Sequence, residues 1–571
     1  MYSDKKNVLE LVALLKAHGI TNIVLSPGSR NSPLIQSFAT DKDFTCYSVV
    51  DERSAGFFTL GIIQATGKPA AVCCTSGTAT LNLAPAVAEA FYQELPLLVI
   101  SADRPLEWIG QMEGQTIHQT GLFAKMVHCS VQLPVVNNNE EKWYCNRLIN
   151  DAILSLDNGV KGPTHINIPL AEPLFDFSTE ALPKVRVIKR SSLSYNISEK
   201  DGFAERFIKY SKKIIVVGQL PPENNISNLL ESISKKHNVV VFSDHLSNIS
   251  VDDNGRYDLA ILTSTDKELK DLTPELLITI GGHTVSKRIK HFIRANGVKE
   301  HWHISSSEDV VDTYQQLTDI VKCDNETFLS YINEISPCEN GCENETECFK
   351  ELWSKKSKAL QAPLAQYSDL SAVGMLLNSL PERASLHFAN SHSVYLSQLF
   401  NIPSSVSCFS NRGTNGIEGS VSTAVGYAAA GGGLTVLLIG DLSFFYDMNG
   451  IWNRHISPNL RIMINNNGGG GIFNTLPGLN NSEVLTDYIT VTHNTTAKGW
   501  AKQQGFKYLS ANNADELQVH IATLLNPNET IPVILEVFTS IEKNSIEIKS
   551  YYQQQENKNY EQQKVDNNKR V

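Results

Sequence analysis

Two apolar runs that end in oxygen-bearing residues constrain this sequence more than any other feature. Residues 434–439 run straight into Gly-Asp441, and residues 460–464 run into three asparagines, ending at Asn467, and then four glycines. The 26 positions from Asp441 to Asn467 are enough for a strand, a helix and a second parallel strand. Parallel strands present their carboxyl ends, where α/β sheets bind ligands, at one edge. Alone, each motif is more typical of an ordinary turn; together they favour a Mg²⁺ site that also holds a diphosphate.

The rest of the chain alternates short apolar runs with helix-like segments, and polar turns follow the apolar runs. This alternation predicts an α/β fold built from doubly wound parallel sheets. At 571 residues the chain is too long for one core, and the pattern divides it into three units. We expect a first domain over residues 1–182, a central domain over 190–335 and a third domain over 358–550. The first and third units share one architecture and are candidates for a structural duplication. The Gln-, Asn- and Lys-rich residues 551–571 are predicted to be a disordered tail.

Charge and hydropathy exclude several classes of function. The formal net charge is −11, so no overall basic field would attract a nucleic acid. No apolar run approaches the roughly 20 residues of a membrane span, and residues 1–10 do not read as a signal peptide. We therefore expect a cytoplasmic enzyme with small-molecule substrates.

Cations and one carboxylate follow strands in the first and central units. The cationic and amide positions are Ser29-Arg30, Arg104 with Gln115 beyond it, and Lys287-Arg288. Arginine at such an edge suits carboxylates or phosphates, which it binds in a bidentate way, although each arginine alone could be an ordinary surface residue. Glu52 follows the apolar strand YSVV, so it is expected to be partly desolvated and able to share a proton; the alternative is a helix-start residue that interacts with the helix dipole.

Together, these residues resemble the thiamine-diphosphate-dependent enzymes. Within that family, the pattern is most similar to the branch that makes 2-succinyl-5-enolpyruvyl-6-hydroxy-3-cyclohexene-1-carboxylate (SEPHCHC) in menaquinone biosynthesis. The motifs that carry the resemblance are SPGSRNSP (26–33), DERSAGF (51–57), TSGTAT (75–80), SADRP (101–105), GQTIHQ (114–119), GGHTVSKR (281–288), NRGTNGIEG (411–419) and GDLSFFYDMNG (440–450). They are distributed over all three units, so the resemblance covers roughly residues 5–540.

The resemblance implies a reaction and its cofactors. The enzyme would bind thiamine diphosphate with Mg²⁺ or Mn²⁺, decarboxylate 2-oxoglutarate and add the resulting succinyl unit to isochorismate by conjugate addition. Glu52 would be the catalytic residue, because it would hydrogen-bond the aminopyrimidine ring of the cofactor. Cofactor-binding positions implied by the resemblance are Glu52, Asn415, Ile417, Asp441, Leu442, Ser443, Asn467 and Ile472. The metal ligands would be Asp441, Asn467 and the Gly469 carbonyl.

Both implied substrates are dicarboxylates, which accounts for cations at the sheet edges of an acidic protein. The matching substrate positions are Ser29, Arg30, Arg104, Gln115, Lys287, Arg288, Ser391, Arg412 and Phe473. Two features depart from the family pattern. Tyr395 stands where an arginine is expected, so a neighbour such as His392 would have to replace the missing charge. The asparagine triplet also leaves Asn466 open as a metal ligand beside Asn467.

The resemblance further implies an obligatory association of subunits. In this family the pyrimidine-contacting glutamate and the metal site usually come from different chains, so Glu52 and Asp441 would meet in a homodimer or a dimer of dimers. Two other readings remain open at this point. One is a different thiamine-diphosphate carboligase or decarboxylase that acts on another 2-oxo acid, and the other is a catalytically inactive binding relative.

Overall fold

A computed structural model gives the fold of the chain. It describes residues 1–190, 202–222, 224–251, 257–307, 309–336, 348–358, 362–363, 366–431, 433–476 and 478–569. In these ranges the secondary structure forms three parallel sheets flanked by helices, as the alternation of apolar runs predicts. The domain boundaries proposed from the sequence stay predictions, since they fall in segments between the sheets.

The first sheet has the strand order β2-β1-β3-β4-β6-β5. Its strands are β1 Asn22–Leu25, β2 Thr45–Ser48, β3 Ala70–Cys74, β4 Leu97–Asp103, β5 Cys129–Gln132 and β6 Thr164–Pro169. The helices around it are α1 Lys6–Ala17, α2 Ser32–Ala39, α3 Glu52–Thr66, α4 Thr78–Asn82, α5 Ala84–Tyr92 and α6 Asn139–Leu154. β3, β4 and β6 are buried along their whole length, because helices cover both faces, and this explains why their sequences do not alternate.

The central sheet has the order β11-β10-β9-β7-β8. Its strands are β7 Lys213–Val217, β8 Val239–Ser243, β9 Leu276–Ile280, β10 Glu300–Ser305 and β11 Asp319–Lys322. Its helices are α7 Phe203–Lys209, α8 Ile226–His237, α9 Tyr257–Leu262, α10 Asp266–Asp271, α11 Lys287–Asn296, α12 Asn325–Glu334 and α13 Phe349–Lys358. The GGHTVSKR motif therefore spans the turn from β9 into α11, so Lys287 and Arg288 open that helix.

The third sheet has the order β13-β12-β14-β15-β17-β16. Its strands are β12 Ser385–Phe388, β13 Ser407–Ser410, β14 Thr435–Gly440, β15 Leu460–Asn466, β16 Lys507–Ala511 and β17 Val533–Phe538. Its helices are α14 Asp369–Asn378, α15 His392–Ser397, α16 Ser420–Ala430, α17 Asp441–Tyr446, α18 Lys498–Gln503, α19 Ala514–Leu524 and α20 Ile541–Lys569. Counted from its own first strand, this order repeats that of the first sheet, which confirms the shared architecture of the two units.

Helices α3 and α16 join the first and third units at a very close crossing. A Cβ atom added to Gly61 on α3 would lie 2.0 Å from the backbone oxygen of Thr423, and one added to Gly426 on α16 would lie 2.0 Å from the backbone oxygen of Phe58. Only glycine allows the two backbones to approach this closely. The two helices therefore pack backbone against backbone, and their side chains join one apolar core shared by both units.

The structure corrects the prediction that residues 551–571 are disordered from their first residue. Helix α20 runs to Lys569, and Tyr551 is buried in the apolar core of the third unit. Two tyrosines at the start of the segment supply the buried surface that an average over its composition hides, and its Gln, Glu and Lys residues are good helix formers. Residues 570–571 lie outside the described part of the chain. Within that described part, no helix has the length and apolar character needed to cross a membrane.

Candidate active site

Asp441 lies at the carboxyl end of β14, next to the end of β15. Gly440 pairs with Asn465 in the register of these two strands, so the sequence prediction of neighbouring strand ends is confirmed. The Asp441 Oδ2 atom accepts hydrogen bonds from the backbone nitrogens of Gly468 and Gly469, at 2.8 and 3.0 Å. Burial raises the pKa of the Asp441 carboxyl to about 6. A buried carboxylate in this position is favourable for binding a cation.

Asn467 directly follows β15 and precedes the two glycines that bind Asp441. Its Nδ2 atom donates to Asp369 Oδ2 at 2.7 Å, which fixes the orientation of the amide. The opposite atom, Asn467 Oδ1, is buried and has no hydrogen-bond partner among the described residues. A buried acceptor without a partner costs free energy unless a ligand satisfies it, so this oxygen fits a metal ligand.

Asn466, the alternative ligand, is already engaged. Its Nδ2 atom donates to Thr495 O and to Glu536 Oε1, at 2.9 and 2.8 Å, and its Oδ1 atom accepts from Gly468 N at 3.2 Å. All of its polar atoms therefore serve the protein itself. The geometry favours Asn467 over Asn466.

The glycines after Asn467 adopt backbone conformations that residues with a side chain rarely adopt. Gly468 and Gly469 have φ angles of +84° and +153°, and a Cβ atom on Gly469 would lie 2.8 Å from Thr490 O. These conformations bend the chain back so that their N–H groups face Asp441. Asp441, Asn467 and Gly469 are thus brought together, and they offer carboxylate, amide and carbonyl oxygens, the donor types that suit Mg²⁺.

The 411–419 loop lies against the start of α17. Ser443 Oγ donates to the Ile417 carbonyl at 2.5 Å, and the Leu442 N–H is bound by the Asp441 carboxylate at 2.6 Å. Asn415 has a left-handed φ of +62°, and the Ile417 side chain is 41% exposed although it is large and apolar. The structure thereby places Ile417, Leu442 and Ser443 beside Asp441, and Asn415 lies in the same loop as Ile417.

Glu52 lies away from the candidate metal ligands, at the start of another helix. It is the first residue of α3, and its Oε2 atom accepts from Asn82 Nδ2 at 3.2 Å. The neighbouring Arg53 donates to the Tyr446 carbonyl at 2.6 Å, so this end of α3 rests on the last residue of α17. Asp441 is the first residue of that helix, and a six-residue helix is roughly 9 Å long. No direct contact joins Glu52 to Asp441 among the described residues of one chain.

The first unit brings two arginines to one edge of its sheet. Arg30 is buried; it donates to Leu170 O at 2.9 Å and lies 3.0 Å from Glu172, and burial lowers its pKa. Arg104 lies 3.4 Å from Ser76 Oγ and 3.5 Å from the carbonyl of Gln115. Ser29, which precedes Arg30 in the turn after β1, accepts at its carbonyl from Ser32 Oγ at 2.6 Å.

A second group of cations lies between the central and third units. A cavity of about 510 Å³ lies between these two units. Of the residues predicted from the sequence, Lys287, Arg288 and Ile472 line it. Tyr395 also lines this cavity, and Lys287 Nζ and the Arg412 guanidinium carbon lie 6.0 and 5.7 Å from the centre of its ring.

The remaining predicted residues lie on the loops around this cavity. Ser391 has a left-handed φ of +71° at the start of α15. Phe473 follows Ile472 in a short 3₁₀ helix, Gly471–Thr475. His392, the candidate replacement for the missing arginine, lines the cavity, but burial lowers its pKa, so this side chain does not supply a ready positive charge.

Several supporting residues were missed by the sequence reasoning. Asp369 orients Asn467, and buried Glu89 on α5 accepts from Gly413 N at 2.8 Å and from Thr414 N at 2.7 Å, which ties the 411–419 loop to the first unit. His493 Nε2 lies 3.5 Å from Asp441 Oδ2. None of these residues has a local motif, because each acts across a large separation in sequence.

Comparison with known proteins assigns the chain to a family. It is 47% identical to 2-succinyl-5-enolpyruvyl-6-hydroxy-3-cyclohexene-1-carboxylate synthase from Bacteroides thetaiotaomicron, over 97% of this chain and 99% of the relative. The chain belongs to the SEPHCHC synthase family. A synthase of the same name from Flavobacterium johnsoniae is 38% identical, over 95% of this chain and 98% of the relative. The thiamine pyrophosphate enzyme class inferred from the motifs is thereby confirmed.

Family models and solved structures agree with this assignment. Residues 9–122 match the "Thiamine pyrophosphate enzyme, N-terminal TPP binding domain", and residues 189–387 match the "Middle domain of thiamine pyrophosphate". A solved structure from Mycobacterium smegmatis, described as a candidate thiamin diphosphate-dependent enzyme, superposes with a TM-score of 0.71 at 18% identity. That match covers 94% of this chain and 100% of the other, and it supports the fold of the SEPHCHC synthase family seen here.

Proposed function

We propose that this chain catalyses the thiamine-diphosphate-dependent formation of SEPHCHC from 2-oxoglutarate and isochorismate, with release of CO₂, in menaquinone biosynthesis. The product is the one named for relatives that match nearly the whole chain. The observation in this structure that carries the proposal is the buried Asn467 Oδ1, which has no hydrogen-bond partner among the described residues and lies on the loop whose glycine N–H groups bind the Asp441 carboxylate. A buried oxygen without a partner, on a loop that also binds a buried carboxylate, lowers the stability of the folded protein when no cation is bound. A bound metal-diphosphate would remove this cost.

Asp441, Asn467 and the Gly469 carbonyl would hold Mg²⁺ or Mn²⁺, and the metal would hold the cofactor diphosphate. Thiamine diphosphate, when bound, supplies the electron sink that allows a 2-oxo acid to lose CO₂. Ser443 and Leu442, at the start of α17, are positioned to meet the diphosphate. Asn415, Ile417 and Ile472 would contact the rest of the cofactor, with the exposed Ile417 side chain as its apolar support.

Glu52 would hold a proton at the pyrimidine ring of a cofactor bound to a second chain. Two features support a homodimer in which active sites lie between subunits. The start of α3 rests on the far end of α17 within one chain, and Val50 and Leu81, beside Glu52 and its partner Asn82, are 45% and 44% exposed. Exposed apolar residues of this kind are typical of a surface that a second subunit covers.

Complementation tests this arrangement. Co-expression of Glu52→Gln and Asp441→Ala chains should restore about a quarter of the sites in a randomly mixed C2 dimer, because one site of each mixed dimer then has both native residues. Each variant alone should be nearly inactive. If both residues came from one chain, mixing would restore nothing. Light scattering should show at least a dimer.

The substrate carboxylates would be bound by the cations and polar groups at two edges. We assign this role to Ser29, Arg30, Arg104, Gln115, Lys287, Arg288, Ser391, Arg412 and Phe473. Charge-assisted hydrogen bonds are strong where water is excluded, which explains several arginines in an acidic protein. Tyr395 lies near two of these cations and occupies the position where the family pattern has an arginine, so its hydroxyl would be a neutral donor there.

The activity is tested by following the absorbance of isochorismate with purified protein, thiamine diphosphate, Mg²⁺ and 2-oxoglutarate, and by leaving out each component in turn. Consumption of isochorismate that requires all four additions supports the proposal. Decarboxylation of 2-oxoglutarate without consumption of isochorismate would move the acceptor elsewhere, and a preference for pyruvate would indicate another carboligase. Absence of any thermal stabilisation by cofactor and metal would indicate an inactive relative.

A further inference from the structure

The last helix, α20, forms one wall of the cavity between the central and third units. Ile548, Lys549 and Tyr552 line this cavity together with Lys287 and Arg288 from the start of α11. The same helix packs against the 3₁₀ helix that carries Ile472 and Phe473. The C-terminal segment therefore contacts two elements to which the proposed function assigns substrate binding.

Tyr552 on α20 contacts one of the cations at the cavity, Arg288. The guanidinium carbon of Arg288 lies 4.9 Å from the centre of the Tyr552 ring. Arg288 Nη1 also donates to Asp258 Oδ2, while Ser286 Oγ donates to the other oxygen of Asp258. The guanidinium is thus held by a carboxylate at one end and by an aromatic face, and 35% of the arginine side chain remains accessible.

This arrangement matters because arginine has a long, flexible side chain. A free arginine loses conformational entropy when it binds a carboxylate, and a pre-positioned one has already lost it. A cation over an aromatic ring in a partly buried place is attracted by the ring as well. The Tyr552 ring therefore reduces the number of directions in which Arg288 can point and leaves part of it facing the cavity.

We propose that Tyr552 is a positioning residue for substrate binding, which acts by holding Arg288 toward a substrate carboxylate. The inference rests on the proposed function and adds a role for the C-terminal helix. Tyr552 itself does not need to touch the reacting atoms. Both parts of its side chain contact Arg288: the ring faces the guanidinium, and the hydroxyl oxygen accepts a hydrogen bond from it.

The test compares Tyr552→Ala, Tyr552→Phe and the matched control Gln553→Ala in the full-length enzyme with thiamine diphosphate and Mg²⁺. Gln553 is the exposed neighbour on the same helix. For Tyr552→Ala we expect the KM of one dicarboxylate substrate to rise roughly 10-fold, the scale of one partly buried cation–π contact, with kcat changed less than about twofold. Tyr552→Phe keeps the ring and loses only the hydrogen bond to Arg288, so it should raise the KM less than Tyr552→Ala does. Gln553→Ala should keep the native KM.

A second arm tests whether the effect passes through Arg288. If it does, the KM increases of Tyr552→Ala and Arg288→Gln are far from multiplicative in the double variant, because the ring has nothing left to hold. Multiplicative effects would overturn the proposal, as would an unchanged KM in Tyr552→Ala. An equal loss of kcat and melting temperature in the Ala and Phe variants would show a purely structural role and would also overturn it. A wild-type enzyme without turnover would instead refute the proposed function, so the two failures are distinguishable.

Discussion

Replacing Asp369 with alanine should weaken metal binding although Asp369 is not a proposed metal ligand. Its carboxylate holds the Asn467 amide through a 2.7 Å hydrogen bond, and Asn467 Oδ1, which has no partner among the described residues, stays free for the proposed metal. A hydrogen bond to a charged group contributes about 1.5–3 kcal/mol. Loss of a supporting contact of this kind typically lowers metal affinity about 10- to 100-fold. We expect a decrease within that range for the Mg²⁺-dependent binding of thiamine diphosphate.

Thermal shift with a Mg²⁺ titration at fixed thiamine diphosphate measures the effect. Ligand at 100 times its Kd stabilises the folded state by about 2.7 kcal/mol. A 30-fold weaker site at the same concentration would give only about 0.9 kcal/mol, a loss that the melting curves resolve.

Thr539→Val is the matched control for this experiment. Thr539 Oγ donates to the other oxygen of Asp369 at 2.6 Å, so this variant disturbs the same buried group and leaves the bond to Asn467 in place. It should destabilise the protein without cofactor but retain native Mg²⁺ affinity. Native affinity in Asp369→Ala, or equal weakening in both variants, would refute the idea that Asp369 orients the ligand.

Three further outcomes are expected. Glu52→Gln should retain thiamine diphosphate binding in a thermal-shift assay and lose turnover about 100- to 10,000-fold, the scale of a lost proton-transfer group; near-native turnover would exclude the proposed role. Gly61→Ala should lower the free energy of unfolding, measured by urea denaturation, by about 1–3 kcal/mol or more, because the added methyl group meets the backbone of α16. In the control Gly499→Ala the methyl group meets open space, so this variant should not be destabilised. Burial lowers the pKa of His387 to about 3, so between pH 6.5 and pH 3 this imidazole is protonated in the unfolded chain but not in the folded one. The free energy of unfolding should therefore fall by about 2 kcal/mol between pH 7 and pH 5 because of this histidine. In His387→Phe the decline in the free energy of unfolding over the same pH range should be smaller by that amount.

Much of the architecture could be predicted from the chain because its signals are local. The apolar runs 434–439 and 460–464 lie in strands β14 and β15, and Asp441 and Asn467 follow these strands, which pair with one another. In a parallel sheet, a residue directly after a strand must lie at the binding edge whatever the rest of the fold does. That geometric rule is why the candidate metal ligands could be named without coordinates.

The supporting contacts could not be predicted, because they join residues that are distant in sequence. Asp369 lies 98 positions before Asn467, and Glu89 lies 324 positions before Gly413. The choice between two adjacent asparagines also depended on which amide oxygen already had a hydrogen-bond partner. The C-terminal helix was missed for a related reason: its composition is polar, but Tyr551 finds a core supplied by the rest of the third unit.

The contact of glycine with backbone between α3 and α16 also limits how this enzyme can move. Two helices without a layer of side chains between them cannot slide or rotate past each other, so the first and third units behave as one mechanical block. The block carries both Glu52 and the 411–419 loop at its edges. We then expect entry and exit of substrates to depend on displacement of the central unit, and the rates of these steps to respond to changes at that side of the molecule.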